Sequence, residues 1–285
     1  MTNKVFISTA SFKNLSAFET IKILKEVGIN CFELSAGKYH AENIKEVKKI
    51  EGIKYHLHNY FPPPKIPFVI NLASMNDKIY DQTFNHILKC IDLSKALGCK
   101  YYSFHAGFVV DIKVKDIGIK TTSKNFSDRG KCMQKFINSV IKLSDYAKKN
   151  DITLLIENNV MKKSSYDYLG KNTTLMAYPE EIDFVMNRVP KNIKFLLDVA
   201  HLKVSSNILN FNLDEAYNRI EKFVAAYHLS DNDGMNDTND LITENSWFMS
   251  RLKKDAFFYT IEVYKDEPKV LLNQLNLIKS QIKDD

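Results

Sequence analysis

Short runs dense in β-branched and aromatic residues alternate along the chain with longer segments whose apolar positions recur every three or four residues. The first texture occupies 4–12 (KVFISTASF), 31–37 (CFELSAG), 55–61 (YHLHNYF), 101–107 (YYSFHAG), 153–159 (TLLIENN), 194–201 (KFLLDVAH), 224–232 (VAAYHLSDN) and 257–264 (FFYTIEVY). Each run has the length and residue types of a β-strand. The second texture covers 16–28, 42–50, 80–98, 129–149, 179–189, 213–223, 246–254 and 267–283, where the spacing predicts amphipathic helices. Pro179 before Glu180 and Glu181, and Pro268 after Glu267, suit first helical turns, and Asn212 or Asp214 can cap the helix over 213–223.

Strands and helices in strict alternation, with no Gly/Ser linker between them, predict one α/β domain over 1–285. Its 285 residues match a closed (β/α)8 TIM barrel, which uses about 250. A doubly wound sheet is the alternative, but no glycine-rich nucleotide loop follows the first strand.

Composition narrows the classes only slightly. At 45% hydrophobic and 26% charged, the chain is of ordinary globular type. The net charge of +6 is mostly lysine on helical faces, so nucleic acid is not an expected partner. No apolar run approaches the ~20 residues of a membrane span. MTNKVFISTASF reads as a strand rather than a signal peptide, so a cytoplasmic location is expected. Cys31, Cys90, Cys99 and Cys132 form no C-x-x-C pair, which argues against a zinc ribbon or a disulfide framework. A homo-oligomer is compatible with the sequence, although no exposed apolar stripe announces one.

Candidate chemistry gathers where a barrel places it, at the C-terminal ends of the strands. His58 closes the third strand, His105 lies in the fourth, Glu157 in the fifth, Asp198 and His201 in the sixth, His228 in the seventh and Glu262 in the eighth. Placing Glu157 inward puts Leu155 and Thr153 inward too. The same phase pairs Ser103 with His105, Leu196 with Asp198, Ala226 with His228, and Thr260 with Glu262. Glu157, Asp198, His228 and Glu262 then converge from four consecutive strands. Three carboxylates in one pocket repel one another, and a single divalent cation (Mn, Co, Mg or Zn) bound by three oxygens and an imidazole relieves that repulsion. His201 is a candidate for substrate contact or a second metal. Glu33 is expected to bond barrel backbone, and His40 and His86 are assigned no role.

FELSAG, HLHNY…INLAS, FHAG, IENN, LLDVAH, YHLSDNDG and IEVY, in this order, resemble the motifs of the xylose isomerase-like TIM-barrel superfamily across essentially the whole chain. That superfamily contains ketose 3-epimerases, sugar isomerases, dehydratases and endonuclease IV. For the sugar-acting branch the resemblance implies metal ligands at Glu157, Asp198, His228 and Glu262. For the endonuclease IV branch it implies additional zinc ligands at His58, His105, His201 and Asp237. Asn239 stands where that branch calls for a further histidine, which counts against a third zinc and against cleavage of abasic DNA. The arginine that some ketose epimerases carry shortly after the seventh-strand histidine is absent from LSDNDG.

The expected activity is therefore isomerisation or epimerisation of a sugar or sugar derivative through a metal-stabilised enediolate. Glu157 and Glu262 serve as acid and base, and His201 bonds the substrate oxygen that gains charge. Loss of a β-hydroxyl would instead make a dehydratase. The runner-up is a zinc phosphodiesterase. Long loops after the third, fourth and fifth strands (59–77, 107–128 and 159–180) predict a lid. Tyr60, Phe61 and Phe108 are expected to face substrate, and Lys113, Lys115, Lys120 and Lys124 to attract an anionic group on it.

Overall fold

The computed structural model describes residues 4–116 and 119–282, and eight parallel strands close into a barrel in the order β1 to β8. They are β1 (Val5–Ser8), β2 (Cys31–Leu34), β3 (Lys54–His58), β4 (Tyr101–His105), β5 (Thr153–Glu157), β6 (Lys194–Asp198), β7 (Val224–Leu229) and β8 (Tyr259–Ile261). The register pairs inward positions with one another (His105↔Glu157, Glu157↔Leu196, Asp198↔His228 and His228↔Thr260), so the ionisable strand ends rise in steps from β5 to β8.

Alternation divides the hydrophobic residues between two compartments. Phe6, Cys31, Leu155, Leu196, Ala226 and Phe258 form a plug at the N-terminal end of the barrel interior. Phe32, Leu34, Tyr102, Phe104, Ile156, Phe195, Leu197, Tyr227 and Ile261 alternate with them and belong to the layer against the helices. Each such side chain, fully removed from water, contributes about 1.5–3 kcal/mol. The plug leaves the opposite end of the interior for polar groups.

Helices α1 (Ala17–Glu26), α2 (Asn43–Val47), α3 (Asp77–Ala96) and α4 (Arg129–Lys149) cover the first half of the barrel. Ser16 and Glu19 form a capping box that fixes where α1 begins, and removing such a cap costs about 1 kcal/mol. The second half carries α5 (Lys163–Leu169), α6 (Pro179–Met186), α7 (Val199–Leu209), α8 (Leu213–Ile220) and α9 (Pro268–Gln281).

Three expectations change. The strand read as 194–201 ends at Asp198, and α7 starts on the next residue because the Asp198 carboxylate caps it. The loop after β5 contains α5, closed by Gly170 at φ +70. The helix expected over 246–254 contracts to a 3-10 turn at Met249–Arg251, since Met249 N–H bonds back to Ser246 and Arg251 N–H to Phe248.

Candidate metal centre and cleft

The mouth of the barrel is built around Glu157, which is fully buried. His105 Nε2 lies 3.2 Å from its Oε1 and His201 Nδ1 3.4 Å from the same oxygen. His58 Nε2 and His228 Nδ1 each lie 3.4 Å from its Oε2. Glu262 Oε2 approaches His228 Nδ1 to 3.6 Å from the other side. The structure thus brings together Glu157, Asp198, His201, His228 and Glu262, as the strand ends required. Ligand atoms of Asp198, His228 and Glu262 come within 4.8 Å of one another, as do those of Glu157, Asp198 and His201.

Asp198 lies at the junction of two elements. Its backbone is bracketed by the Asn158 side chain, which accepts from Asp198 N–H at 2.8 Å and donates to its carbonyl at 3.0 Å. Its Oδ1 accepts the His201 backbone N–H at 2.7 Å, leaving Oδ2 aimed into the barrel mouth, 3.7 Å from His201 Nε2. The His201 ring donates from Nδ1 to the Asn158 carbonyl at 2.9 Å, which turns Nε2 toward Asp237 Oδ2 at 3.5 Å.

Charges in this space are strongly perturbed. Burial pushes Asp198 up to about 6 and, with the neighbouring Glu33, Glu157 and Asp198 carboxylates, drives Glu262 well above the usual range. Burial also opposes ionisation of Glu157, but the imidazoles of His105, His228 and His58 outweigh it and hold that carboxyl low. His201 and His228 are held as cations against the same burial by the surrounding carboxylates.

Several buried atoms here have no hydrogen-bond partner: both carboxylate oxygens of Glu157, His228 Nδ1 and Asp237 Oδ1. Such orphaned groups cost about 1–3 kcal/mol each. Glu157 and His228 Nδ1 facing the same space, joined by Asp198 and Glu262, fit a divalent cation with mixed oxygen and imidazole ligands, which would take the place of the His228 Nδ1 proton.

His58 is placed differently. The Asn59 side-chain amide donates to His58 Nε2 at 2.5 Å, so His58 Nδ1–H donates to Ser103 Oγ at 2.9 Å. Burial keeps the ring neutral, its pKa lowered to about 3. The nitrogen facing Glu157 is therefore already engaged, although His58, His105 and Glu157 have the proximity of a second ligand group. Asn239 is buried with its amide 3.5 Å from Ser230 Oγ.

Glu33 does not bond barrel backbone as expected. Its Oε2 is 2.8 Å from His228 Nε2, 2.9 Å from His56 Nε2 and 3.2 Å from Thr260 Oγ1. Burial works to raise this carboxyl, but His228 and His56 prevail and hold it well below the usual range. His86 has a structural role, bonding the Asn59 carbonyl at 3.2 Å.

A cleft of about 230 Å³ opens from the centre beneath the three long loops, bordered by His105, His201 and Asp237 at one end and by Ile119, Lys120 and Thr121 elsewhere. Tyr60 and Phe108 line it as expected, but Phe61 is fully buried in the core. Lys120 borders the cleft and Lys113, Lys115 and Lys124 do not, whereas Lys162, unmarked by the sequence reading, does. The loops are joined to one another. Asn71 donates to the carbonyls of Phe108 and Val110 and accepts from Phe108 N–H at 2.9 Å. Asn159 donates to the carbonyls of Ala106, Gly107 and Leu175. Gly107 permits the close approach, since a Cβ there would lie 2.6 Å from Ala73 Cβ.

The chain belongs to the family of xylose isomerase-like TIM barrels, whose model matches residues 21–281. It is 25% identical over 283 residues to a protein of Aquifex aeolicus named probable endonuclease 4, covering 89% of this chain and 88% of that one. Among solved structures, a D-tagatose 3-epimerase-like protein superposes with a TM-score of 0.71 at 17% identity, covering 98% of this chain and all (100%) of the other. The 3-keto-D-glucoside 4-epimerase of E. coli superposes with a TM-score of 0.66 at 13% identity, covering 98% and 100%. At these identities the structural matches establish the shared fold. Among the described residues no helix is long and apolar enough to cross a membrane.

Proposed function

We propose that this chain is a divalent-metal-dependent isomerase or epimerase acting on a sugar or sugar derivative. The observation that carries the proposal is the pair Glu157 and Glu262, which flank His228 Nδ1 at 3.4 and 3.6 Å, with Glu157 in contact with His105 and His201 of the cleft wall. The sugar-epimerase names among the structural neighbours lend support. Glu157, Asp198, His228 and Glu262 would hold the cation, which supplies Lewis acidity toward a carbonyl and its adjacent hydroxyl.

Glu157 ends β5 and Glu262 directly follows β8, with β6 and β7 between them, so they reach a substrate from two sides. One removes the proton α to the carbonyl and the other returns a proton, as inversion of a stereocentre requires. His201, fixed through Nδ1 by Asn158, presents Nε2–H to the oxygen that gains charge as the enediolate develops. Tyr60, Phe108 and Met161 in the cleft wall exclude water from the carbanion-like intermediate. Loss of a β-hydroxyl from the same enediolate would give a dehydratase.

A second reading, phosphodiester cleavage by a multi-zinc site, draws on the closeness of His58 and His105 to Glu157 and on the Aquifex relative. The Asn59–His58 hydrogen bond and Asn239 in place of an imidazole favour the sugar reading. Metal analysis and a ketose screen on the same preparation decide between them. About one Mn, Co, Mg or Zn per chain, with α-proton exchange into a ketose in D2O, is expected. Two or three zincs with incision of abasic DNA, and no ketose turnover, would overturn the proposal.

A further inference from the structure

We propose that Glu33 is a positioning residue that selects Nδ1 of His228 as the metal-facing nitrogen; this rests on the assignment of His228 to the metal site. The His228 ring is fully buried and sits at the end of β7, where its Nε2 has one close partner, Glu33 Oε2 at 2.8 Å. Its Nδ1 has no hydrogen-bond partner and faces Glu157 and Glu262. A metal-bound imidazole keeps one N–H, on the nitrogen opposite the metal. The carboxylate on Nε2 holds that proton there, so the Nδ1 proton is the one a cation would displace.

Glu33 is itself fixed from below. Its Oε2 also receives His56 Nε2 at 2.9 Å and Thr260 Oγ1 at 3.2 Å. His56 is held between Phe6 and Phe258, with ring centroids 4.3 and 4.1 Å away. Three donors thus converge on one carboxylate oxygen in an interior closed by the apolar plug. A chain of fixed contacts runs from the barrel floor through His56 and Glu33 to the His228 ring. A carboxylate behind a ligating imidazole fixes its tautomer and raises its basicity, and its loss typically weakens metal binding about 10–100-fold.

The test uses the full chain and zinc. Imidazole 15N spectra of the wild-type protein should show a protonated His228 Nε2 and a zinc-bound Nδ1. Zinc titration against a chelating dye should show E33Q and E33A binding about 10–100-fold more weakly, while the metal-free unfolding midpoint of E33Q stays close to wild type. Zinc bound through Nε2 would overturn the inference without recourse to any variant. So would a zinc affinity in E33Q equal to wild type, including the case of a lowered midpoint, since that marks a purely structural carboxylate. Absence of zinc uptake by the wild-type chain would overturn the metal site as well, whereas uptake with unchanged E33Q affinity would overturn this inference alone.

Discussion

The Asp198 carboxylate accepts the backbone N–H of His201 at 2.7 Å. One side chain thus ends a strand, caps the helix that follows and keeps its second oxygen for the barrel mouth. The strand-end carboxylate and the imidazole three residues later are locked together by backbone geometry rather than by a loop. Replacement of Asp198 would remove a helix cap as well as a proposed ligand, so the cleaner tests fall on the glutamates and on proton release.

Glu157→Gln and Glu262→Gln should each lower kcat by about 10²–10⁴, the usual contribution of a positioned acid or base. Gln keeps the volume and one oxygen, so the fold should persist. Exchange of the substrate α-proton with solvent, followed by NMR in D2O, checks the assignment separately from net turnover. Wild-type exchange in both variants would remove the two-carboxylate mechanism.

Metal affinity should fall with acid. Asp198 keeps its proton up to about pH 6 in the metal-free protein, and burial with the neighbouring carboxylates raises Glu262 well above the usual carboxylate range too. A cation must displace these protons, so binding weakens about tenfold per pH unit for each proton displaced. Titrations in buffers of different ionisation heat should register proton release on binding. For the metal-free chain the stability sign is opposite to that of a paired carboxylate. The raised Asp198 contributes stability below its ordinary value of 3.8, and this is lost as pH rises toward about 6. An affinity independent of pH between 5 and 7 would contradict the assignment.

The thiols should be inert in the native protein. All four cysteines are buried, and burial pushes Cys90 and Cys99 up to about 12 and raises Cys31 and Cys132 as well. At pH 8 only about one in 10⁴ of a thiol with such a pKa is thiolate. A disulfide reagent should therefore label the folded chain slowly and all four cysteines after denaturation. Rapid native labelling of any of them would show that its surroundings open.

Much of this arrangement was legible because a barrel strand has a period of two. Leu155, Leu196 and Ala226 were predicted inward from the phase of Glu157, Asp198 and His228, and they form the interior plug. The same phase brought four strand ends to one centre. Helix α7 escaped because Val199, Ala200, Leu202 and Val204 are all buried, so the segment lacks the polar stripe that marks a helix. The 246–254 segment misled for the opposite reason. Trp247, Phe248 and Met249 pack inward from a single tight turn, with Trp247 edge-on to Tyr217. The role of Glu33 could not be read locally, since its partner His228 lies 195 residues away. The inward phase of β2 was the one available sign. The asparagines of IENN were read as part of a motif, but their amides bridge backbone on three different segments.

The seams made by Asn71 and Asn159 have a consequence for changing what the cleft accepts. Phe108 pairs antiparallel with Thr174, Leu175 N–H bonds the Gly107 carbonyl, and the approach of Ala73 and Asn71 leaves no room for a side chain at Gly107. The segments after β3, β4 and β5 therefore behave as one interlocking cassette. Transplanting a single loop from a relative would leave mismatched stitches on both neighbours, whereas exchanging the three as a set, with Asn59 kept for its bond to His58, would carry the seams along and leave the strand-borne residues beneath them in place.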